Sequence, residues 1–99
     1  MNDIWSNKLQ GINTLDISRE LRFRDDRKEL LLYILGLKEG MKIAEIGCGP
    51  GALSKKIAKW LGNESKIIGM ERDTNFINYA YKKAKDERIA NLRYMKVMH

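Results

Sequence analysis

Ala44-Glu-Ile-Gly-Cys-Gly-Pro-Gly51 is a glycine-rich stretch. Its first three residues are also the last three of an apolar run at residues 41–46. The run is apolar on both faces, which is typical of a strand at the centre of a parallel sheet. Residues 52–61 follow and repeat apolar side chains at the spacing of an α-helix. Glycines between a strand and a helix let the backbone approach a ligand closely, and the helix start offers free N–H groups. The stretch therefore predicts a strand, a ligand-binding turn and a helix in succession.

The same alternation continues after this turn. We predict strands at residues 66–70 and 92–97, with Gly62 ending the helix before the first of them. Asp73 or Thr74 is expected to cap a helix between these strands, with a buried face of Phe76, Ile77, Ala80, Tyr81 and Ala84. Strands that alternate with helices form parallel sheets through right-handed crossovers. We predict an α/β fold with a parallel three-stranded sheet in the order 3-2-1 and flanking helices.

Upstream of the turn, the sequence predicts one further helix. Asp25 or Asp26 is expected to cap it, and Gly36 to end it, with an apolar stripe of Leu30, Leu31, Ile34 and Leu35. Residues 1–24 contain several turn formers. We predict an irregular segment there, with at most a short helix at residues 16–23.

The composition is that of one small domain. The chain has 99 residues, of which 43% are hydrophobic and 32% charged. No apolar run approaches the ~20 residues of a membrane span, so we expect no membrane contact. The single cysteine, Cys48, excludes an internal disulfide and a multi-cysteine metal site, and it favours a cytoplasmic location. We expect no metal site.

The net charge of +6 lies in the second half of the chain. Residues 1–50 have eight basic and eight acidic residues, whereas residues 51–99 have eleven basic and five acidic. Such an excess is found both on nucleic-acid or anionic-lipid surfaces and on the solvated faces of helices. The lysines alternate with apolar residues at helical spacing, and no aromatic residues are interleaved with them. We therefore expect solvated helices and no nucleic-acid partner.

Glu71 lies at the predicted end of the second strand, 20 residues after Gly51. In doubly wound folds a carboxylate at this position accepts hydrogen bonds from the ribose hydroxyls. A glycine cluster alone often marks only a tight turn, but here a strand precedes it, a helix follows it and an acid stands at this spacing. The combination predicts a ligand that contains a nucleoside.

Glu45 discriminates between nucleoside ligands. Gly47-x-Gly49-x-x-Ala52 is compatible with a dinucleotide-binding turn, so an NAD(P)-dependent oxidoreductase is one alternative. However, Glu45 stands two residues before the first glycine, close to where an anionic pyrophosphate would lie, and Pro50 alters the turn. An acid at this position suits a ligand with a positive amino group and a sulfonium.

Three segments resemble class I S-adenosylmethionine-dependent methyltransferases. Gly40-Met-Lys-Ile-Ala-Glu-Ile-Gly-Cys-Gly-Pro-Gly-Ala-Leu-Ser54 is similar to the first motif of that family, and Ile67-Ile-Gly-Met-Glu-Arg-Asp73 to its second-strand motif. Gln10-Gly-Ile-Asn-Thr-Leu-Asp-Ile-Ser-Arg-Glu-Leu-Arg-Phe23 is similar to the lead-in of small-molecule-type members. The resemblance implies a Rossmann-like fold, S-adenosylmethionine as the cofactor and methyl transfer as the activity. Residues 1–24 would form a lead-in segment, and residues 25–99 the cofactor-binding domain.

The resemblance also implies roles for single residues. Glu45 would contact the amino end of the methionine, directly or through water. Glu71 would bind the ribose diol, and Arg72 would lie along the adenine edge. The backbone would pass under the methionine and ribose at Gly47, Cys48, Gly49 and Gly51. The candidates for the methionine carboxylate are Arg19, Arg22 and Arg24, each of which is equally compatible with an ordinary surface arginine.

The chain departs from the family after its third strand. Members often have a Gly-Asp pair there, whereas this chain has Val97-Met98-His99, and the family's later strands, which carry most of the acceptor pocket, have no counterpart. We expect a truncated cofactor-binding half that is inactive alone, and we name no catalytic residue, His99 included. The alternative is a non-catalytic binding or assembly module. The full-length family implies a small-molecule methyl acceptor.

The predicted strand order leaves the first strand at the edge of the sheet. Only Lys42 and Glu45 interrupt its apolar residues. An exposed apolar edge strand invites pairing with another chain. We therefore expect self-association through this edge, or an N-terminal segment that covers it.

Overall fold

Helices and strands alternate along the chain in the predicted order. The computed structural model describes residues 3–98, and the side chains of all these residues except 3–10, 14 and 20. The elements are α1 (Asp3–Arg22), a 3-10 helix (Asp25–Arg27), α2 (Lys28–Leu35), β1 (Lys42–Ile46), α3 (Ala52–Leu61), β2 (Lys66–Glu71), α4 (Thr74–Asp86) and β3 (Leu92–Lys96). None of the helices within residues 3–98 is long and apolar enough to cross a membrane.

The three strands form one parallel sheet in the order β1-β2-β3, which confirms the predicted order 3-2-1. The register places Ile43 opposite Ile67, and Ile67 opposite Leu92. Helix α3 ends at Gly62, and α4 begins after Asp73, whose side chain accepts hydrogen bonds from two backbone N–H groups of the first turn. Both boundaries agree with the sequence prediction.

Among the residues that the structure describes, helices cover one face of this sheet and leave the other open. The buried core under α3 and α4 consists of Ile57, Ala58, Leu61, Ile67, Ala84 and Leu92. On the opposite face, the exposed fractions of Ile46, Ile68 and Met95 are 74%, 37% and 48%. Parallel crossovers are right-handed, and both crossovers here advance from β1 towards β3, so both helices lie on the same side. The expectation that β1 is buried on both faces is therefore wrong.

Residues 3–22 form a continuous helix, so the prediction of an irregular segment with a short helix at residues 16–23 is wrong. Helix α1 packs against α3 and α4 and buries Ile12 and Asp16. Gly11 and Asn13 are weak helix formers, and the apolar residues of α1 do not form a regular stripe. Tertiary contacts stabilise this helix, and local sequence signals do not report them. The division of the chain at residue 24 stays a prediction.

Two predicted buried faces are partly wrong. In α2, Leu30, Ile34 and Leu35 are exposed, and Leu32 contacts the core instead. Because α2 has only eight residues, about two turns, an error of one residue in the predicted stripe moves it to another face. In α4, Tyr81 is exposed, whereas the buried residues are Ile77, Ala80 and Ala84, as predicted.

The capping predicted for α2 is also wrong. No side chain caps this helix, which begins at Lys28 after the 3-10 helix, although it ends at Gly36 as predicted. Asp25 instead accepts a hydrogen bond from Nε1 of Trp60 at 2.7 Å. Asp26 pairs with Arg24 at 2.5 Å. Both carboxylates bind side chains that the helical pattern does not reveal.

Candidate functional site

The glycine turn between β1 and α3 is hydrogen-bonded to the neighbouring strand β2. The N–H groups of Gly47 and Cys48 donate to the carbonyl oxygen of Met70 at 2.7 and 3.0 Å. Gly51 precedes α3 with a φ of 92°, and a Cβ added to it would lie 2.4 Å from the hydroxyl oxygen of Tyr94. Both the backbone conformation and the contact with Tyr94 require glycine here. Residues of β2 and β3 thus hold the turn in place.

Tyr94 and Ser54 form a hydrogen-bonded pair beneath this turn. Their hydroxyl oxygens lie 2.9 Å apart, and Ser54 also donates to the carbonyl oxygen of Gly51 at 3.1 Å. Burial raises the pKa of Tyr94 well above its ordinary value, so its hydroxyl stays protonated. Sequence analysis missed this pair, because it joins residues 40 positions apart without a motif.

Glu71 lies at the end of β2 with its carboxylate turned towards the glycine turn. Its Oε1 accepts a hydrogen bond from the N–H of Gly49 at 3.0 Å. Its Oε2 accepts from the N–H groups of Arg72 and Asp73, each at 2.8 Å. The prediction that Glu71 and the turn lie together is therefore consistent with the structure. The three hydrogen bonds were not predicted, because backbone donors are present in every sequence.

Glu45 lies on the helix-covered face of β1, where it is partly buried. Its Oε1 is buried and has no hydrogen-bond partner among the residues that the structure describes. Burial raises the pKa of Glu45 to about 7, although the Arg19 guanidinium and the N–H and hydroxyl of Ser54 act in the opposite direction. A buried carboxylate oxygen without a donor is unfavourable for folding. It needs an explanation outside the fold itself.

A pocket of about 200 Å³ adjoins Glu45. Its lining residues come from α1, the segment after it, β1, the turn and α3; they are Arg19, Arg22, Phe23, Glu45, Cys48 and Leu53. A Cβ added to Gly49, whose φ is 57°, would lie 2.5 Å from Nη1 of Arg19, so this guanidinium rests against the turn. The pocket is thus lined by the Glu45 carboxylate of β1 and by two arginines, Arg19 and Arg22, in the last turn of α1.

Cys48 is the turn residue that lines this pocket. The thiol is 2% exposed and donates to the carbonyl oxygen of Gly49. Burial raises its pKa to about 12, and the carboxylates of Glu45 and Glu71 act in the same direction. A thiol with such a pKa is not a nucleophile near neutral pH.

Three residues considered in the sequence analysis do not line this pocket or lie outside the residues that the structure describes. The Arg24 side chain is exposed and paired with Asp26, and Arg24 is not one of the residues that line the pocket. The Arg72 side chain is exposed beyond the end of β2, and no described contact joins it to the turn. His99 lies outside the described residues. Within residues 3–98, no group of three or more His, Cys, Asp or Glu side chains is placed to hold a metal ion.

Fold and turn together define a Rossmann-like α/β domain. Residues 37–96 match the family model described as "Methyltransferase domain". The chain belongs to the class I S-adenosylmethionine-dependent methyltransferases.

Individual relatives agree with this assignment. A probable cobalt-precorrin-6B C(15)-methyltransferase (decarboxylating) of Saccharolobus solfataricus is 26% identical over 90 residues, which cover 88% of this chain and 45% of the relative. A sterol 24-C-methyltransferase of Gibberella zeae is 34% identical over 61 residues, which cover 62% of this chain and 16% of the relative. The crystal structure of a SAM dependent methyltransferase from Aquifex aeolicus superimposes with a TM-score of 0.72 at 26% identity, covering 90% of this chain and 46% of that one. The chain therefore spans less than half the length of these relatives.

Proposed function

We propose that this chain is the S-adenosylmethionine-binding part of a methyltransferase. The observation that carries the proposal is the buried Oε1 of Glu45, which lies beside a pocket and has no hydrogen-bond partner among the described residues. This oxygen needs a hydrogen-bond donor, and the ammonium group of the cofactor's methionine is a charged one. When bound, the cofactor supplies an activated methyl group for transfer to a nucleophile.

The remaining parts of the cofactor would extend from this pocket along the glycine turn. Gly47, Cys48, Gly49 and Gly51 would lie under the methionine and the ribose. Glu71 would bind the ribose diol, since its Oε1 accepts one hydrogen bond from the described residues, that of the Gly49 N–H, and keeps capacity for a hydroxyl. Arg72, which is exposed at the end of β2, would lie along the adenine.

A dinucleotide cofactor fits the site less well. Its pyrophosphate would lie close to Glu45, whose ionised form repels an anion, whereas the ammonium group of S-adenosylmethionine is attracted to it. Isothermal titration calorimetry with S-adenosylmethionine, S-adenosylhomocysteine and NAD separates the two ligand classes. We expect binding of the first two and none of NAD. Tight binding of NAD with no response to the others would overturn the proposal.

For the acceptor, we propose a small molecule that binds residues outside this chain. Two of the relatives are named for cobalt-precorrin and sterol acceptors. Because the chain spans less than half of its relatives, we expect the 99 residues alone to bind the cofactor without transferring its methyl group. A cytoplasmic location is part of this proposal and rests on the single cysteine.

We also propose that the outer edge of β1 pairs with a second copy of the chain. The residues that flank β1 show which backbone groups point towards β2: the carbonyl oxygen of Met41 accepts from the N–H of Lys66, and the N–H of Gly47 donates to the carbonyl oxygen of Met70. Backbone groups alternate in direction along a strand, so those of the odd-numbered residues point towards β2. The N–H and C=O groups of Lys42, Ala44 and Ile46 therefore face away from β2, and no described strand pairs with them. Such an edge favours pairing with another strand.

A further inference from the structure

We propose that Tyr94 is a positioning residue that keeps water away from the Glu45 carboxylate and so prepares it for a cationic group. The Tyr94 ring lies across Gly69 of β2, and its hydroxyl is held at the glycine turn. The inference rests on the proposed function, because it concerns how the same site recognises the ammonium group of its ligand. It gives a role to a residue that no motif in the sequence marks.

Glu45, Gly69 and Tyr94 form one row across the three strands. Glu45 lies opposite Gly69 in the register of β1 and β2, and Gly69 lies opposite Tyr94 in the register of β2 and β3. Successive side chains of a strand point to opposite faces of the sheet. Ile67, two residues before Gly69, belongs to the core under α3 and α4, so this row lies on the helix-covered face. The middle position of the row has no side chain.

The Tyr94 ring occupies the space that glycine leaves in the middle of this row. A Cβ added to Gly69 would lie 2.5 Å from Cε1 and 2.6 Å from Cδ1 of Tyr94, and 3.1 Å from Sγ of Cys48. Gly69 is not among the glycines with a positive φ, so the ring, and not the backbone conformation, requires a glycine here. Neighbouring strands lie about 4.8 Å apart, so a ring that crosses β2 reaches the side of the row where Glu45 lies.

The hydroxyl end of Tyr94 is fixed at the glycine turn. The hydroxyl can donate either to Oγ of Ser54 at 2.9 Å or to the carbonyl oxygen of Gly51 at 3.4 Å. Ser54 is fully buried and donates to the same Gly51 oxygen, so the two hydroxyls and the carbonyl form a small network. The ring is therefore held at β3 by the backbone and at the turn by hydrogen bonds, and it cannot leave Gly69 without breaking them.

The ring placed in this way is an apolar neighbour of the Glu45 carboxylate. Burial is the largest cause of the raised pKa of Glu45. Burial also raises the pKa of Tyr94, and the Glu45 carboxylate acts in the same direction, as expected for two neighbouring groups. An apolar neighbour excludes water, which disfavours an isolated carboxylate and strengthens its attraction to a cation that binds beside it. Tyr94 thus makes Glu45 unfavourable alone and a strong partner for an ammonium group.

The other groups around Glu45 do not titrate near neutral pH. The groups that face it from α1, the turn, α3 and β3 are Arg19, Arg22, Cys48, Ser54 and Tyr94. Arginine stays cationic, and the Ser54 hydroxyl is neutral. Burial raises the pKa of Cys48 to about 12 and that of Tyr94 above its ordinary value. A proton that this site gains or loses near pH 7 therefore belongs to Glu45.

NMR titration of the Glu45 side-chain carboxyl carbon in the free protein tests the role of the ring without a ligand. Tyr94→Leu keeps an apolar residue on the covered face but does not reach across Gly69. Water should then reach Glu45 and lower its pKa by about 1. Tyr94→Phe keeps the ring and loses only the hydroxyl that holds it, so it should lower the pKa of Glu45 by a smaller amount.

The exposed Tyr81 of α4 provides the matched controls. Tyr81→Leu and Tyr81→Phe should leave the pKa of Glu45 unchanged, because the Tyr81 side chain is 60% exposed and belongs to another element. An unchanged pKa of Glu45 in Tyr94→Leu overturns the inference. If Tyr94→Leu does not fold, Tyr94→Phe decides the question by the presence or absence of its smaller shift.

A substitution at Gly69 tests where the ring lies. Gly69→Ala should lower the urea concentration at the midpoint of unfolding, because the new methyl group overlaps the Tyr94 ring. The same change in the Tyr94→Leu background should lower the midpoint by much less, since the ring is then absent. Equal losses in the two backgrounds would contradict a ring that lies across Gly69.

Ligand binding links the ring to the proposed function. At pH 7 the parent should release about half a proton when S-adenosylhomocysteine binds, whereas Tyr94→Leu, with a Glu45 pKa of about 6, should release about a tenth. 5′-Methylthioadenosine, the same nucleoside and sulfur without the amino-acid end, is the control ligand and should release none. Equal proton release from the parent and Tyr94→Leu would contradict the inference. If the parent does not bind S-adenosylhomocysteine, the proposed function fails, and the titration of Glu45 still decides the role of the ring.

Discussion

Two carboxylates near the ends of neighbouring strands have opposite surroundings. Glu71, at the end of β2, accepts hydrogen bonds from the N–H groups of Gly49, Arg72 and Asp73. Glu45, near the end of β1, has a buried Oε1 without a donor in the described part of the chain, and burial raises the pKa of Glu45 to about 7. Glu71 is thus satisfied by the fold, whereas Glu45 is not.

This difference separates a residue that stabilises the protein from one that destabilises it. The folded chain retains the Glu45 proton between the ordinary pKa of 4.5 and the raised value of about 7, while the unfolded chain releases it. The contribution of Glu45 to the free energy of unfolding therefore falls as the pH rises through that range and stays low above it. A residue with this cost near neutral pH is best explained by a ligand cation that removes it.

The largest expected effect comes from a change that disturbs both carboxylates. Gly49 donates to Glu71 and lies against Arg19 beside Glu45. Gly49→Val should abolish binding of S-adenosylhomocysteine, measured by calorimetry, because the side chain forces the turn and the guanidinium apart. Gly11→Val, in open space on α1, should keep the parent affinity. Retained affinity in Gly49→Val, with the circular dichroism of both variants native, would contradict the location of the site.

Removing Glu71 should weaken binding and also destabilise the fold. A hydrogen bond from a hydroxyl to a carboxylate contributes about 1.5–3 kcal/mol, so Glu71→Ala should lower affinity roughly 10- to 100-fold for both S-adenosylhomocysteine and 5′-methylthioadenosine. Loss of the acceptor for three N–H groups should also lower the free energy of unfolding, which urea denaturation measures. Glu64→Ala, at an exposed acid, is the control. Unchanged affinity would remove Glu71 from the ribose assignment.

The opposite pair of effects is expected at Glu45. Glu45→Gln should weaken S-adenosylhomocysteine about tenfold, because the ammonium group loses its counter-charge. The same change should raise the free energy of unfolding at pH 8 by about 1–3 kcal/mol, and this gain should shrink as the pH falls towards 4.5. Urea denaturation at both pH values measures it. A variant that is less stable than the parent at pH 8 would show that the buried carboxylate is not a defect of the free protein.

The smallest effect concerns the two edges of β1. One edge is hydrogen-bonded to β2, whereas no described strand pairs with the outer edge. Light scattering should detect a dimer, and Lys42→Pro should raise its dissociation constant about tenfold, because an outward N–H is lost from each copy. Lys42→Ala removes the same side chain but keeps the N–H, so it should dimerise like the parent. A monomer at high concentration, with rapid amide exchange along β1, would contradict the pairing.

The sequence predicted those features that depend on local signals. The strand, turn and helix around Gly49, the cap at Asp73 and the position of Glu71 all follow from residue type and spacing over short distances. Helix α1 was missed because packing against α3 and α4, which are distant in sequence, stabilises it in place of a regular apolar stripe. The position of Arg19 against the turn, in contrast to the exposed Arg24, likewise needed the structure, because the packing of α1 determines it.

The exposed face of the sheet was missed for a different reason. The apolar residues of β1 and β2 are typical of strands buried on both sides, and composition does not distinguish a face covered within the chain from one left open. The direction of the two crossovers decides that question, and it requires the whole topology. Ile46 and Ile68 are therefore of a residue type that is typical of buried central strands, although their side chains are exposed.

The central claim is that the Glu45 carboxylate binds the ammonium group of the cofactor. Proton release on binding tests this claim most directly. At pH 7 a group with a pKa of about 7 is about half protonated, so binding of a cation beside Glu45 should release about half a proton. Calorimetry of S-adenosylhomocysteine in two buffers of different ionisation enthalpy measures this number. We predict that S-adenosylhomocysteine releases about half a proton from the parent protein and none from Glu45→Gln. 5′-Methylthioadenosine, which contains the nucleoside and the sulfur without the amino-acid end, should release none from either protein. Binding of S-adenosylhomocysteine without proton release, or the same release from Glu45→Gln, would contradict the account.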